Sequence, residues 1–229
     1  IELPISKSIA NRLLILQSIH GDGLLTVSAD LPEDVQILHR ALTTLHHSTQ
    51  RYTTLNLSNC GTAMRFLTAY AAQLENKVTV LDGVERMRHR PIGQLVDALR
   101  SIGAQIEYLG EEGFPPLRIK GCILDKHRIV TLNNPQSTQF VSALLLIGAN
   151  VQTNSTSPYI TLTREIIDQY PIAHRASNSP HGGRPIAAQA ASRSKILIQD
   201  FGTCPDLYPA VALTCECLGI ELHATGTES

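Results

Sequence analysis

Hydrophobic positions recur at helical spacing in several stretches of the chain, and a shorter alternating stretch follows each of them. The clearest unit runs from Leu95 to Ile106. Its apolar residues fall on one face of a helix, Gly103 is the helix stop, and Gln105 to Leu109 alternates as a strand does. The pattern therefore predicts a module of helix, glycine and strand.

Two further stretches repeat this module. From Val211 to Ala224 the same order occurs, with Gly219 in the stop position and a strand that starts at Ile220. Residues 35–57 are a more divergent copy, with a leucine stripe before a threonine-rich strand. Recurring units of this kind predict an α/β fold built from small modules, and their irregular period excludes a solenoid.

One stretch breaks the pattern. Residues 170–194 are rich in serine, proline, glycine, histidine and arginine and show neither a helical nor a strand period. We predict a linker here, an exposed loop, or the scar of a missing segment.

The composition indicates a globular chain with balanced charge. Its 229 residues are 43% hydrophobic, which is enough for a buried core. The net charge of −1 is not that of a nucleic-acid binder, so locally placed cations must hold any anionic ligand. No apolar run approaches the roughly 20 residues needed to cross a bilayer, and residues 1–8 lack the features of a signal peptide. We expect a cytoplasmic protein without a nucleic-acid or membrane partner.

The cysteines and histidines do not suggest a metal site. The five cysteines are odd in number and form no CxxC pair, and the histidines lack metal-ligand spacing. We predict neither a disulfide framework nor a bound metal.

The first candidate anion site is the start of a helix at Ile9 to Ser18. Lys7 and Ser8 precede this helix, and Arg12 lies one turn inside it. Unpaired N–H groups and a partial positive charge at a helix N-terminus favour a phosphate or carboxylate. The alternative is a serine cap on an ordinary amphipathic helix.

The second candidate is the segment that ends in Gly61 and Thr62 and opens a helix from Ala63 to Leu74. The glycine lets backbone approach a ligand, and the threonine either caps the helix or contacts an anion. The alternative is a tight turn with a cap. Arg65, in the first turn, opposes the helix dipole, which suggests that a carboxylate or an anionic ligand holds it.

The third candidate is the polar run from Asn133 to Gln139, which opens the very apolar helix Phe140 to Ile147. A helix this apolar is buried, so its polar start is expected to face a cleft or an internal polar layer.

Two charged features near other helix starts also attract interest. The basic run from Arg86 to Pro91 is either a solvated loop or a fork for a carboxylate or phosphate. We favour Arg90 within it, because Pro91 is expected at the first position of the next helix. Asp206 precedes another apolar helix, where an aspartate is most often a cap.

These segments resemble those of the enolpyruvyl transferase family, and they occur in the family's order. The matches are SKSIANR (6–12) to SKSxxNR, NCGTAMRF (59–66) to NAGTAMRP, ERMRHRPIGQLVDALRSIGA (85–104) to RMxxRPIxxLxxALxxxGA with a following PPLRI strand (115–119), QSTQFVSALLL (136–146) to SSQFxSALL, SPYITLT (157–163) to S(K/R)PYIxxT, and CPDLYPAVALTC (204–215) to PDxxxxxAxxA.

The resemblance favours the shikimate branch of this family. Ser8 follows Lys7, whereas the UDP-N-acetylglucosamine branch usually has Asn there, and that branch's flexible cysteine loop has no match here. The implied reaction moves the enolpyruvyl group of phosphoenolpyruvate to the 5-hydroxyl of shikimate 3-phosphate and releases phosphate. It needs no metal or organic cofactor. A UDP-N-acetylglucosamine enolpyruvyl transferase is the alternative enzyme.

The resemblance also implies a role for individual residues. The residues implied to be catalytic are Asp206, which resembles the carboxylate that takes the proton of the attacking hydroxyl, and Lys7, which would contact anionic groups of both substrates. Thr138 stands where the family usually has Ser. The residues implied to bind shikimate 3-phosphate are Lys7, Ser8, Arg12, Ser137, Thr138, Gln139, Thr156, Tyr159 and Asp206. Those implied to bind phosphoenolpyruvate are Lys7, Asn59, Gly61, Thr62, Arg90 and Gln139.

The implied fold has two lobes, each built from three copies of a βαβαββ unit, which close over the substrates. Residues 1–169 correspond to most of the first lobe, 170–194 to a linker or the scar of a missing segment, and 195–229 to a fragment of the second lobe. The chain stops before the family's KE(S/T)DR and DHRxAM regions, so we expect about half of an enzyme that is monomeric at full length. We expect little or no turnover from this chain alone, and a non-catalytic anion-binding lobe is a further alternative.

Overall fold

The computed structural model describes residues 6–21, 31–177, 194–198 and 220–224. Its helices are α1 (Lys7–His20), α2 (Glu33–His47), α3 (Gly61–Ala72), α4 (Glu85–Arg88), α5 (Gly93–Ser101), α6 (Thr138–Leu146) and α7 (Pro158–Ser177). Its strands are β1 (Tyr52–Asn56), β2 (Val78–Asp82), β3 (Gln105–Tyr108), β4 (Leu117–Lys120), β5 (Ile129–Thr131), β6 (Asn150–Gln152), β7 (Ser194–Ile198) and β8 (Ile220–Ala224). The predicted α/β class is confirmed.

The largest sheet of the described residues has the strand order β1-β2-β4-β3. Strands β1 and β2 are parallel and are joined through α3, whereas β4 pairs antiparallel with both β2 and β3. From β1 to β4 the chain therefore runs strand, helix, strand, helix, strand, strand, with the short α4 inserted. This is the order of the βαβαββ unit that the resemblance implied.

The helix α3 forms the centre of the core. Nearly all of its residues are buried, as expected for a helix that is apolar on every side. It packs against α1, α2, α5 and α6 and against β2 and β4. Its largest fully buried side chains are Met64, Phe66 and Leu67.

Glycine ends α5 as the sequence predicted. Gly103 has φ 103°, in the left-handed region, and the N–H of Ala104 donates to the carbonyl oxygen of Leu99 at 3.0 Å. The same arrangement ends α6 at Gly148, where φ is 77°. The matching prediction for Gly219 lies outside the described residues.

The prediction that Pro91 takes the first helical position is wrong, because α5 begins at Gly93. Ile92 is the N-cap, with a non-helical φ of −138°, and its N–H donates to the carbonyl oxygen of Gly113 at 2.9 Å. The carbonyl oxygen of Ile92 then accepts from the N–H groups of Leu95 and Val96 at 3.0 and 3.1 Å.

The helix α7 continues to Ser177, so its last residues overlap the segment 170–194 predicted as a linker. The division of the chain into two lobes stays a prediction. Strand β8 begins at Ile220, as predicted, and pairs in parallel with β7. Among the residues that the structure describes, none of the helices has the length and apolar character needed to cross a membrane.

Candidate anion-binding site

The loop before α3 lies at the carboxyl ends of two adjacent parallel strands. The N–H of Leu57 donates to the carbonyl oxygen of Asp82 at 2.8 Å, and the N–H of Val84 donates to that of Ser58 at 3.1 Å. The carboxyl ends of β1 and β2 thus stay together beyond the last strand pair. In open α/β sheets this edge is where ligands bind.

Cys60 is the N-cap of α3, and its Sγ accepts from the N–H of Ala63 at 3.4 Å. Burial raises the pKa of this thiol to about 11, so it is neutral near pH 7. Cys60 therefore caps α3, and Thr62 does not take the capping role that the sequence left open. Its Oγ1 instead accepts a hydrogen bond from Gln139 Nε2 at 2.9 Å.

Two guanidinium groups meet over Gly61, and we call Arg65 and Arg90 the arginine pair. Arg65 lies one turn after Gly61, and helical side chains lean towards the N-terminus, so its guanidinium reaches back over the glycine. Arg90 comes from the loop before α5 and donates through Nη1 to the carbonyl oxygen of Asn59 at 3.2 Å. A β-carbon built on Gly61 would lie 2.5 Å from Arg90 Nη1 and closer still to Arg65 Nη1.

No carboxylate lies within 4.0 Å of either guanidinium in the part of the chain that the structure describes. Arg65 is 7% exposed, and its Nε has no hydrogen-bond partner there. Burial, and secondarily the charge of Arg90, lower the pKa of Arg65 to about 10, so it stays protonated near pH 7. Two cations and the N-terminus of α3 thus lie together without a neutralising carboxylate among the described residues, which favours an anion at this position.

The start of α6 lies beside the start of α3. Ser137 is its N-cap and accepts from the N–H of Gln139 at 3.3 Å. The Gln139 side chain then donates to Thr62, as described above, and the ring of Phe140 lies 5.5 Å from the Arg65 guanidinium carbon. The predicted second and third helix starts are therefore adjacent in space.

The start of α1 is connected to the start of α3 by Asp34, which lies in the first turn of α2. Lys7 Nζ lies 3.7 Å from a carboxylate oxygen of Asp34, and both side chains are substantially exposed. The Sγ of Cys60 donates to the backbone carbonyl oxygen of Asp34 at 3.7 Å. Asp34 therefore links the starts of α1 and α3, although an exposed ion pair of this kind contributes only about 0–1 kcal/mol.

Arg12 is buried between α1, α6 and α7. Its Nε donates to Thr163 Oγ1 at 2.7 Å, one Nη to Ser142 Oγ at 3.1 Å, and the other to the carbonyl oxygen of Ser8 at 2.6 Å. Its guanidinium carbon also lies 5.6 Å from the ring centroid of Phe66. Burial lowers the pKa of Arg12 to about 10. In this structure Arg12 is bonded to protein atoms, and its contact with a substrate stays a prediction.

The remaining predicted residues take different positions. Tyr159 lies in the first turn of α7, and its carbonyl oxygen accepts from Arg12 at 3.3 Å. Thr156 is exposed in the loop before α7. Thr138 is the first residue of α6 and is partly buried. Asp206, the predicted base, lies outside the described residues.

In the basic run from Arg86 to Pro91, Arg88 and His89 pair with nearby acidic residues, whereas Arg90 has no such pair in the described part of the chain. Arg88 forms a bidentate pair with Asp82, with nitrogen to oxygen distances of 3.0 and 2.7 Å. His89 lies 3.1 Å from a carboxylate oxygen of Glu85. Arg90 alone of these residues reaches the start of α3 in the described contacts. The reason for favouring it, Pro91 at the first helical position, is wrong, and its contact with a ligand stays a prediction.

A comparison with protein-family models matches residues 1–183 to EPSP synthase (3-phosphoshikimate 1-carboxyvinyltransferase). The chain belongs to the EPSP synthase family. The order of the βαβαββ unit and the adjacent helix starts are what the resemblance to enolpyruvyl transferases implied.

Curated relatives agree with this family. A 3-phosphoshikimate 1-carboxyvinyltransferase of Bacteroides fragilis strain YCH46 is 42% identical over 180 residues, which cover 74% of this chain and 42% of the relative. A 3-phosphoshikimate 1-carboxyvinyltransferase of Vibrio cholerae serotype O1 strain M66-2 is 39% identical over 201 residues, which cover 74% of this chain and 46% of the relative. The chain spans less than half the length of these relatives.

Solved structures show the same fold. An EPSP synthase from Acinetobacter baumannii superposes with a TM-score of 0.56 at 21% sequence identity. The superposition covers 74% of this chain and 43% of that one. The α/β architecture described above is thus the fold of the matched part of EPSP synthases.

The site contains residues that the sequence-derived set omits. Arg65 was flagged only for its position against the helix dipole, and its closeness to Arg90 joins residues that are distant along the chain. Ser142 and Thr163 both accept hydrogen bonds from Arg12. Their two hydroxyl oxygens also lie 2.9 Å apart and form a hydrogen bond with each other. The sequence signal for Ser142 is a hydroxyl on the otherwise apolar helix α6, whereas α7 carries many polar residues and gives no such signal for Thr163.

Proposed function

We propose that this chain provides substrate-binding residues for the transfer of an enolpyruvyl group from phosphoenolpyruvate to shikimate 3-phosphate. The 5-hydroxyl oxygen of the acceptor bonds to C2 of phosphoenolpyruvate while its methylene carbon is protonated. Phosphate then leaves C2 and the new methyl group on C3 loses a proton, which restores the double bond and gives the enol ether. Family membership and the names of the relatives support this reaction over that of the UDP-N-acetylglucosamine branch.

One observation carries the proposal. The arginine pair lies at the N-terminus of α3 without a carboxylate among the described residues, and the hydroxyl-rich start of α6 is one hydrogen bond away. A reaction between two phosphorylated, carboxylated molecules needs adjacent cationic and N–H-rich subsites of this kind.

The proposed roles follow this arrangement. Arg90, with Gly61 and the backbone around Asn59, binds phosphoenolpyruvate. Ser137 and Thr138 bind the phosphate of shikimate 3-phosphate, and Gln139 lies between the substrates because its side chain already reaches across to the start of α3.

Two further predicted residues take part in the proposed reaction. Lys7 swings from its exposed pair with Asp34 to contact anionic groups of both substrates, and Asp206 acts as the base for the 5-hydroxyl. A cytoplasmic location and a monomeric full-length state stay predictions from the sequence.

Phosphate release tests the proposed function. The full-length encoded protein is supplied with phosphoenolpyruvate and either shikimate 3-phosphate or UDP-N-acetylglucosamine, and inorganic phosphate is followed in a coupled assay. We expect release with shikimate 3-phosphate and none above background with the sugar nucleotide. Release with the sugar nucleotide alone would contradict the proposal.

A non-catalytic anion-binding lobe is the second candidate, because the arginine pair and the starts of α3 and α6, which would hold an anion, all lie within residues 61–146. Calorimetric titration of this 229-residue chain with shikimate 3-phosphate separates binding from turnover. Binding without any phosphate release in the full-length protein would favour this second candidate.

A further inference from the structure

Arg65 is a charged side chain in an environment that usually excludes charge. It is 7% exposed, its Nε is unpartnered among the described residues, and Arg90 lies beside it. A buried cation without a counterion is costly, and the N-terminus of α3 increases that cost. The ring of Phe140, 5.5 Å away, offsets only part of it.

Arg65 also restricts where the charge of Arg90 can lie. The Arg90 guanidinium donates to the carbonyl oxygen of Asn59, and the like charge of Arg65 repels the same guanidinium. Gly61 leaves no side chain between the two guanidiniums. Arg90 is thereby held between an attractive and a repulsive group, and its charge faces the space above Gly61.

We infer that Arg65 is a positioning residue for the anion bound at the start of α3. It keeps Arg90 directed at the ligand and adds a second positive charge beside the anion. The gain in anion binding is the reason that a buried charge is tolerated at this position. The inference rests on the proposed function only for the identity of the anion as phosphoenolpyruvate. Inorganic phosphate probes the same positive charge without that assumption.

The variants Arg65→Met and Arg65→Gln remove the charge, and Arg65→Lys keeps it. Arg100→Met is a matched control, because Arg100 also lies over an aromatic ring, that of Tyr108 at 5.0 Å. Arg100 differs in that its guanidinium donates to the carbonyl oxygen of Ile106 at 2.7 and 3.2 Å.

Thermal unfolding of the 229-residue chain without anion gives the first readout. We expect the neutral Arg65 variants to unfold at the parent's temperature or above it, since they remove an uncompensated buried charge. A residue with a merely structural role would instead lower that temperature.

Calorimetry with inorganic phosphate and with phosphoenolpyruvate gives the second readout. We expect the dissociation constants of Arg65→Met and Arg65→Gln to rise at least about tenfold, because a charge acting at short range in a buried site is worth that much. Arg65→Lys should stay within about threefold of the parent, as it keeps the charge but not the planar fork. Arg100→Met should bind as the parent does.

Several results would overturn the inference. One is parental anion affinity in a folded neutral variant. Another is failure of both neutral variants to fold, or a lowered unfolding temperature with unchanged affinity, because the charge would then serve the fold, for instance by pairing with a carboxylate elsewhere in the chain.

The two proposals fail in distinguishable ways. If the full-length protein releases no phosphate with shikimate 3-phosphate, but phosphate affinity still depends on Arg65, the proposed function fails and the inference stands. If it is active and Arg65→Met raises the KM for phosphoenolpyruvate no more than that for shikimate 3-phosphate, the inference fails and the proposed function stands.

Discussion

The variant Gly61→Ala is expected to lose at least about tenfold in affinity for phosphoenolpyruvate while it keeps its fold. The added methyl carbon would lie 2.5 Å from Arg90 Nη1 and 2.9 Å from its Cζ, and closer still to Arg65 Nη1. Both guanidiniums must therefore move away from the start of α3. Because they are the ends of flexible side chains, the cost falls on the anion site and not on the core.

The stability of Gly61→Ala should change little. Gly61 is the first residue of α3 and lies outside the left-handed region, so alanine fits the backbone there. Replacing a helical glycine by alanine gains up to about 1 kcal/mol, which offsets part of the cost of moving the arginines.

Calorimetric titration with phosphoenolpyruvate measures this effect, and Gly93→Ala is its control. Gly93 is also the first residue of a helix, but its added methyl carbon would meet the nearest atom, Gly113 Cα, at an ordinary 3.5 Å. We expect the control to bind as the parent does. Unchanged affinity in Gly61→Ala would show that the anion does not lie above Gly61.

The variant Arg12→Met is expected to lower the free energy of unfolding by about 2–4 kcal/mol, since it removes the hydrogen bonds that a buried charged donor makes to α1, α6 and α7. Arg12 is 3% exposed and joins three helices. Thr163 and Ser142 remain bonded to each other in the variant, but the carbonyl oxygens of Ser8 and Tyr159 each lose a charged donor.

Urea unfolding followed by circular dichroism measures this loss. Arg118→Met is the control, because Arg118 pairs with Glu107 at 2.7 Å on the surface and should contribute no more than about 1 kcal/mol. A loss in Arg12→Met no larger than in the control would contradict the bonding described for Arg12.

The predicted ligand role of Arg12 needs a separate readout. In the folded full-length protein, Arg12→Ala should weaken shikimate 3-phosphate more than phosphoenolpyruvate, because its neighbours lie on α6 and α7 and not at the start of α3. Equal losses for both substrates would assign Arg12 to the fold alone.

Local signals explain what could be predicted from the sequence. The stop at Gly103 depends on a residue that tolerates positive φ, and the apolar run of α6 depends on burial, so both are visible in a short window. The helix starts were found for the same reason, since hydroxyls and glycine collect where N–H groups are unpaired.

Contacts between distant segments explain what could not. The sheet order, the cap of α3 by a thiol and the meeting of Arg65 with Arg90 depend on how elements pack, which no local window contains. Pro91 shows the same limit, because Ile92 has a non-helical φ of −138° and pairs with the distant Gly113, and α5 begins only at Gly93. The burial of Arg12 could not be predicted either, because its hydrogen-bond partners lie on the distant helices α6 and α7.

The most direct test of the central claim is a crystal structure of this chain soaked with phosphoenolpyruvate. We predict density for the ligand above Gly61, with an anionic oxygen about 3 Å from the Arg90 guanidinium and another near the backbone at the start of α3. Ligand density at a different place, with none at the arginine pair, would contradict the account.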